Sequence, residues 1–284
     1  MQREAATGYP VIWGQSVKGA LRQAAEEQAH HDRASGYRPG GVDDSWTPDR
    51  VRLVFGSEVG DNARGDGSTT PGQLNIGDAQ LVALPVPTLR RTFAWATSAV
   101  ALGRLARKYR ALHRRAPKAP AVRGEEASAL AADWRELDRE VIGPCVVPVS
   151  RERDENPETW ADSLARDAVG AEDAFAPFAS KLREDLILVG DAIMPTLVRE
   201  CLEQAVRVQL NDAKTVENGP FYSEYLPAET ILAAALTLRD PADSPEIRAA
   251  LARLLDGKLH QIGGDETLGK GLVWCRLLEP EAAQ

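Results

Sequence analysis

The sequence predicts an α+β domain built on an antiparallel sheet with helices on one side. Two patterns carry this reading. Stretches of strand period are short and separated by long insertions, and they do not alternate with helices as regular βα units. The order along the chain is helix, strands, helices, strands with a protruding loop, helix, strand. A doubly wound parallel sheet would need the regular units that are missing.

The first element is a helix within GYPVIWGQSVKGALRQAAEEQAHH. A Gly8-Tyr9-Pro10 turn and a short apolar stretch precede it, and Ser16 is placed to cap it through its side-chain oxygen. Val17, Leu21, Ala24 and Gln28 line one flank, while Lys18 and Arg22, four apart, share another. Residues 35–50, rich in Gly, Pro, Asp and Ser, read as a loop. RLVF and GQLNIGDAQLVALPV give two short apolar strands around a Gly-rich connection, Gly56 to Gly72. Leu74 and Ile76 alternate with Asn75; Gln80, Val82 and Leu84 alternate with Leu81 and Ala83. The connection is longer than a hairpin needs, and loops of that length are usually functional or mobile.

From about Ser98 a helix is expected, with Leu102, Leu105, Tyr109 and Leu112 on its inner face. After a break at Pro117 and Pro120, Leu130, Trp134, Leu137 and Val141 predict a second helix. The acidic stretch 151–173 reads as a surface insertion with one or two helices. Another helix starts near Pro195 and uses Leu197, Val198, Cys201 and Leu202. Val206, Val208 and Leu210 then alternate with Arg207 and Gln209, and Ile231 opens a further strand. Between them runs an excursion with an Asn218-Gly219 turn. Ser244-Pro245-Glu246 starts a helix continued by Ile247, Leu251, Leu254 and Leu255. A Gly-rich loop, HQIGGDETLGKG, leads into the last strand.

Of the 284 residues 43% are apolar and 27% charged, as in a globular protein. The net charge, 34 − 42 = −8, disfavours a protein that wraps free duplex DNA unaided unless its charges are segregated. They are segregated. Residues 104–123 hold eight Lys or Arg and no acid, whereas residues 124–173 hold fourteen acids against five Arg. Three cysteines, Cys145, Cys201 and Cys275, stand far apart and argue against a disulfide scaffold or a cysteine zinc site. With no signal peptide and no long apolar run, a soluble cytoplasmic protein is expected.

GQSVKGALR is not a phosphate-binding P-loop, because Lys18 precedes Gly19. Lys18 and Arg22 nevertheless sit in the opening turns, where the helix dipole disfavours cations. An anion on the first N–H groups would offset that mismatch; a solvated basic face is the other reading. In QIGGDETLGKG, Gly263, Gly264, Gly269 and Gly271 flank Asp265 and Glu266. Those acids are candidate metal ligands or turn caps, and close packing on the first helix or approach by a ligand strand suits the glycines better. NDAKTVENGPFYSEY places Phe221, Tyr222 and Tyr225 beside Lys214. These aromatics either stack on bases, with Lys214 at a phosphate, or fold back into the core. His30, His31, His113 and His260 form no H-E-x-x-H cluster, and Ser16, Ser98 and Ser150 lack a G-x-S-x-G context.

Together these segments resemble a known family. IWGQSVKGALR is similar to the PGSSxKGxxR element of the RAMP (repeat-associated) proteins of CRISPR systems. LVFGS and GQLNIGDAQLVALPV, then TFAWATSAVALGRL, KTVENGPFYSEYLPAET and LHQIGGDETLGKGLVWC, resemble in order the backbone subunits of the type III-B effector, the Cmr complex. The resemblance runs from Gln2 to about Cys275.

It implies a ferredoxin-like (RRM-like) palm with helical insertions and a protruding thumb, as a single RAMP domain over 1–284. The Gly-rich loop would be 56–72, the Pro-rich and acidic helical insertion 117–173, and the thumb hairpin 204–226. The implied partners are CRISPR RNA, complementary target RNA, further copies in a helical filament and other Cmr subunits, with no membrane. By the same resemblance Ser16, Lys18 and Arg22 lie along the guide backbone. Arg207, Lys214, Thr215, Phe221 and Tyr222 belong to the thumb, which wedges into the guide–target duplex, and Gly263 and Gly264 lie close to RNA.

Family members also cleave target RNA at six-nucleotide intervals with a divalent metal, Mg2+ or Mn2+. Their carboxylate precedes an Asp-Leu-Pro-Ile-Gln-Arg-Glu element, and here the match starts inside it, at Gln2-Arg3-Glu4. No residue of this sequence inherits that role, and the metal is expected only with the missing loop. A longer natural protein is the favoured explanation; a short chain that binds without cutting is the other. Rival functions are a stand-alone endoribonuclease that processes precursor CRISPR RNA, for which Tyr9, His30 and His31 are the candidates, and a non-catalytic assembly subunit.

Overall fold

The computed structural model describes residues 1–57, 69–118, 122, 124–129, 134, 136, 138–150, 159–240 and 244–281. The elements begin β1 (Val11–Ile12), α1 (Gly14–Ser35), α2 (Pro48–Phe55), β2 (Leu74–Ile76), β3 (Ala79–Thr88), β4 (Thr92–Ser98) and α3 (Ala99–Ala111). Next come β5 (Ala127–Ala129), β6 (Arg139–Ile142), β7 (Cys145–Pro148), α4 (Trp160–Leu164), α5 (Ala176–Asp185), β8 (Leu186–Val189) and α6 (Met194–Glu200). The chain ends with β9 (Glu203–Leu210), β10 (Val216–Tyr225), β11 (Ile231–Ala233), β12 (Leu236–Leu238), α7 (Ser244–Leu255), β13 (Lys258–Gln261) and β14 (Leu272–Cys275). They form two compact units: Met1–Val11 with Gln80–Ala233 and Glu279–Gln284, and Ile12–Ala79 with Ala234–Leu278.

In the first unit the strand order is β5-β8-β4-β3-β6-β7, with β1 and β11 also pairing with β3. The sheet is mixed rather than wholly antiparallel, because β4 and β8 run parallel in the register Trp95↔Leu186 to Ser98↔Val189. Parallel neighbours need a crossover, and the chain between these two strands begins it with α3. β8 reads LILV and is buried at all four positions, as a strand covered on both faces should be. Pro85 and Pro87 cannot donate to a ladder. They fall on β3 between the stretch that β11 covers and the contact with β6 at Thr88. Leu84, Val86, Ile187, Met194, Leu197 and Val198 lie at the centre of this core.

Ser98 caps α3 by accepting the Ala101 N–H, and Leu102, Leu105 and Tyr109 point inward as the spacing predicts. The helix expected around Leu130–Val141 is not what forms at its end. Val141 lies in β6, paired with Val146 of β7 in a tight hairpin, while Leu130 and Leu137 lie outside the described residues. Trp160, Leu164 and Ala165 are buried, so this part of the acidic stretch is packed rather than a surface appendage.

In the second unit α1 buries Val17, Leu21, Ala25 and Ala29, a row with a spacing of four. Ala24 and Gln28, expected on that flank, are only half-buried. The RLVF stretch is helical, not a strand. Thr47 accepts the Arg50 N–H and Pro48 opens the first turn, two start signals that outweigh a short apolar run. Val51, Val54 and Phe55 face inward; the Phe55 ring stacks on Trp46 with centroids 6.1 Å apart, and Trp46 Nε1 donates to Ala250 O of α7. Small antiparallel pairs, β2–β12 and β13–β14, complete this unit. Among the described residues no helix is long and apolar enough to cross a membrane.

One buried ion pair ties this unit together. Asp32 continues the inner row of α1 at 5% exposure. It accepts from both nitrogens of the Arg253 fork (2.7 and 2.5 Å), from the Trp46 N–H and from Gln28. Burial alone would raise the carboxyl pKa, but these donors outweigh it and hold it at about 2, against 3.8 for a free side chain. The pair's contribution is complete above pH 3.8 and is lost as pH falls toward about 2. Asp32→Asn strands the Arg253 guanidinium, and thermal denaturation at neutral pH should show a loss of about 3–5 kcal/mol. The variant should also lack the parent's steepest acid-induced loss of stability.

Candidate nucleic-acid interface

Two separate sets of residues carry the site predicted from sequence, one in each unit. In the second unit the helix starts three residues earlier than expected. Trp13, not Ser16, is the N-cap, and its own side chain makes no capping bond. Ser16 and Val17 turn their N–H groups onto the Trp13 carbonyl. The Gly14 N–H donates to Asp78 Oδ1 at 2.7 Å. The positive end of the dipole is therefore met by the chain's own carboxylate, so the anion expected at these N–H groups is already supplied internally. Gly14 is required here because a Cβ would run into the Ile76 carbonyl oxygen.

Lys18 and Arg22 follow on one half-buried face of α1, as their spacing predicts. Arg22 is committed: its Nε donates to Glu26 at 2.9 Å and a terminal nitrogen to the Gly56 carbonyl at 3.1 Å. Lys18 has no hydrogen-bond or ion-pair partner among the described residues. Gly263 and Gly264 are exposed, and a Cβ at either would meet nothing within 4 Å. The close packing on the first helix that their sequence suggested is absent. Gly271 is crowded, with φ 79° and Ile262 O close to where a Cβ would stand, and Gly263 and Gly269 also hold positive φ, 115° and 71°. Asp265 caps the turn through its backbone, accepting from Leu268 and Lys270. No group of three His, Cys, Asp or Glu able to hold a metal ion occurs among the described residues.

In the first unit β9 and β10 pair only with each other, forming a hairpin of their own. Two of its three aromatics do not fold back, Tyr222 at 75% exposure and Phe221 at 51%, while Tyr225 at the base is half-buried. The turn lies at Asn211–Thr215, not at Asn218-Gly219. The Asn211 side chain takes the Thr215 N–H and donates to the Thr215 hydroxyl, and Lys214 occupies the left-handed region at φ 58°. An Asx-type turn thus displaces the Asn-Gly signal, which becomes an irregularity inside β10. Gly219 sits there at φ 114°, where a Cβ would stand 3.1 Å from Arg207 O.

Register sorts the side chains. Tyr222 pairs with Val206 and Val216 with Leu210, so with Val208 they share one exposed apolar face. Phe221 pairs with Arg207 on the opposite face, where an Arg207 terminal nitrogen donates to the Ser223 hydroxyl. Lys214, at the tip, has no ion-pair partner among the described residues. Sequence periodicity located the strand of Val206, Val208 and Leu210, and the structure leaves all three exposed.

Sequence reasoning missed Arg3. Its guanidinium donates to the carbonyls of Gly8 and Val198 and to Glu224 Oε1 at 2.7 Å, at the base of β10. Cysteine chemistry is also disfavoured. Burial pushes the Cys201 and Cys275 thiols up to about 11 and raises Cys145, so all three stay protonated at neutral pH.

The sequence model of the RAMP superfamily matches residues 1–274. A protein of Pyrococcus furiosus described as CRISPR system Cmr endoribonuclease Cmr4 is 27% identical over 286 residues, covering 98% of this chain and 87% of that protein. The solved structure of oligomeric Cmr4 from Pyrococcus furiosus is similar at TM-score 0.67 and 23% identity, covering 99% of this chain and 91% of that one. A chain in the type III-B Cmr-beta assembly bound to cognate target RNA is similar at TM-score 0.67 and 18% identity, over 97% and 87% of the two chains. The fold is thus that of Cmr4-like palms.

Arg3→Ala should leave the melting temperature nearly unchanged but loosen the hairpin base. Hydrogen exchange at Ser223–Tyr225 should rise roughly tenfold, the equivalent of about 1.4 kcal/mol lost from a charge-assisted hydrogen bond. Unaltered protection there would remove Arg3 as the anchor.

Proposed function

Since this chain belongs to the RAMP superfamily, we propose that it is a guide-RNA-binding backbone subunit of a type III-B CRISPR effector, stacking with copies of itself and binding complementary target RNA. The observation that carries this reading is the β9–β10 hairpin, which holds Tyr222 and Phe221 in water with a lysine at its tip. Exposed aromatics on a two-stranded projection suit stacking against unpaired bases, worth about 1–3 kcal/mol per base. Val206, Val208 and Leu210 extend that wedge with an apolar surface able to pack on a displaced nucleotide. On α1, Lys18 supplies the uncommitted cation for guide phosphate, with Arg22 beside it holding Glu26 and Gly56. The open glycines Gly263 and Gly264 leave their backbone accessible to a ligand strand.

Target cleavage at six-nucleotide intervals is the family activity this reading would entail. We assign it to no described residue, since none of them gathers a metal-binding set, and derive no step through a metal.

The test is binding of labelled complementary RNA to the protein loaded with guide RNA and its sister subunits. Phe221→Ala with Tyr222→Ala should weaken target binding at least about tenfold, because one stacked base or more is given up. Guide binding should change little. Lys18→Ala should do the reverse, weakening the guide complex several-fold, and it is a cleaner probe than Arg22, whose removal also frees Glu26. Target affinity indifferent to the hairpin pair, or processing of precursor CRISPR RNA by the isolated protein, would overturn the assignment.

A further inference from the structure

Helix α3 and the segment after it carry the basic run, and the structure sorts these cations into two classes. Those turned inward are all matched. Arg104 grips both oxygens of Glu4 at 2.9 and 2.8 Å. Lys108 donates to the Gln80 side chain at 2.7 Å. Arg114 turns back over the Tyr109 ring, donates to buried Asp167 at 3.3 Å and approaches Glu281 at 3.7 Å. The turn that brings it back is built by His113 in the left-handed region at φ 56° and by the Arg114 N–H on the Tyr109 carbonyl.

Those turned outward are unmatched. Arg107, Arg110, Arg115 and Lys118 are exposed, and none has an ion-pair or hydrogen-bond partner among the described residues. The acids nearest this helix, Glu4, Asp167 and Glu281, are occupied by Arg104 and Arg114. Arg107 and Arg110, three apart, share one face of α3 with Gly103, where a Cβ would meet nothing within 4 Å. The C-terminal end of a helix dipole accounts for a cation in its last turn, but not for four unpaired ones running on past the helix. In a chain of net charge −8, exposed Arg107 and Arg110 on one helix face, followed along the chain by exposed Arg115 and Lys118, all four unpaired among the described residues, point to an anionic ligand.

We propose that Arg107, Arg110, Arg115 and Lys118 form a second RNA-binding surface that holds the phosphates of a single strand without reading its bases. This rests on RNA being the ligand of the protein, and on neither the hairpin nor Lys18. Two features favour RNA over an acidic protein. Apart from the His113 ring, the exposed residues from Arg107 to Lys118 include no aromatic or large aliphatic side chain, the anchors that a protein interface buries at its centre. Three of the four cations are arginines, whose planar forks match phosphate oxygens, and nucleic-acid interfaces are polar and rich in positive charge. With no Phe, Tyr or Trp among these exposed residues, phosphate contacts dominate and binding here is largely independent of sequence.

The experiment is fluorescence anisotropy of a labelled oligouridylate on the full chain across a salt series. Three variants are compared with the parent: Arg107→Gln/Arg110→Gln, Arg115→Gln/Lys118→Gln, and Phe221→Ala/Tyr222→Ala. Each charge variant should bind several-fold more weakly at low salt. Its plot of log affinity against log salt should be shallower by about 1.4, at about 0.7 for each phosphate no longer neutralised. The second charge pair lies beyond the helix and keeps the test open if the first disturbs α3. The hairpin variant should keep the parental slope. Unchanged slopes in both charge variants overturn the second surface, while a weakened hairpin variant in the same series leaves the proposed function standing. A parent that binds no RNA overturns both. Poly-glutamate that binds the parent more tightly than oligouridylate, and loses that binding in the charge variants, overturns the proposal in favour of an acidic protein partner.

Discussion

A two-stranded hairpin with both faces in water has no core of its own, and that constraint shapes the first unit. Such a ribbon is marginal in isolation, because its ladder replaces water–backbone hydrogen bonds without burying apolar surface. The conformation must then be imposed from its two ends. At the tip the Asn211 side chain makes two hydrogen bonds to Thr215 and fixes the reversal. At the base Arg3 binds Glu224 and, through Val198 O, the end of α6, whose Leu197 and Val198 lie in the sheet core. Shape is thereby transmitted from the core to side chains that remain exposed. Leaving Tyr222 and Val206 in water costs free energy that folding does not recover, and a ligand that covers them does.

The second unit meets an opposite demand. Its helix α1 is long and carries no acid in its first turn. Asp78 supplies the charge the dipole lacks, and Asp32 near the far end joins Arg253 of α7 to the loop at Trp46. Between these carboxylates, Lys18 and Arg22 stand in the opening turns. Arg22 is drawn to Glu26 and the Gly56 carbonyl, leaving Lys18 as the mobile charge. Of two cations that look equivalent in sequence, one is a structural tether and the other is open to a ligand.

Periodicity made α1, α3, α6, α7 and β2 legible, because each buries one face and its apolar residues must recur at the matching spacing, whereas β3 shows as an apolar run because it is buried on both faces from Leu81 to Val86. It misplaced elements set by something other than burial. RLVF is apolar enough for a strand, but Thr47 and Pro48 decide for a helix. Val141 fits a helical spacing, yet pairing with Val146 makes it a strand. The alternation of Val206, Val208 and Leu210 was read correctly as a strand, although alternation says nothing about whether a partner layer exists. Within the interface, the residue types Tyr222, Phe221 and Lys214 were readable from composition. Arg3 was not, since its partners lie 195 and 221 residues away and no local pattern marks them.

The sorting of charge on α3 explains how an acidic chain can serve an anionic ligand. Net charge sets the far field, which salt screens within about 8 Å at physiological strength, whereas a strand in contact feels the local residues. Acids paired at short range with inward-facing Arg104 and Arg114 form near-neutral dipoles, and their field at the outer face is weak. The unpaired Arg107 and Arg110 therefore dominate the potential on their side of the helix despite the total of −8. Aromatic contacts at the hairpin are indifferent to salt, because stacking and apolar burial displace no counterions. A protein using both chemistries would hold bases at the hairpin where salt has little effect, and gather phosphates at a surface where salt governs affinity. Ionic strength, more than sequence, then decides which of the two modes of binding dominates.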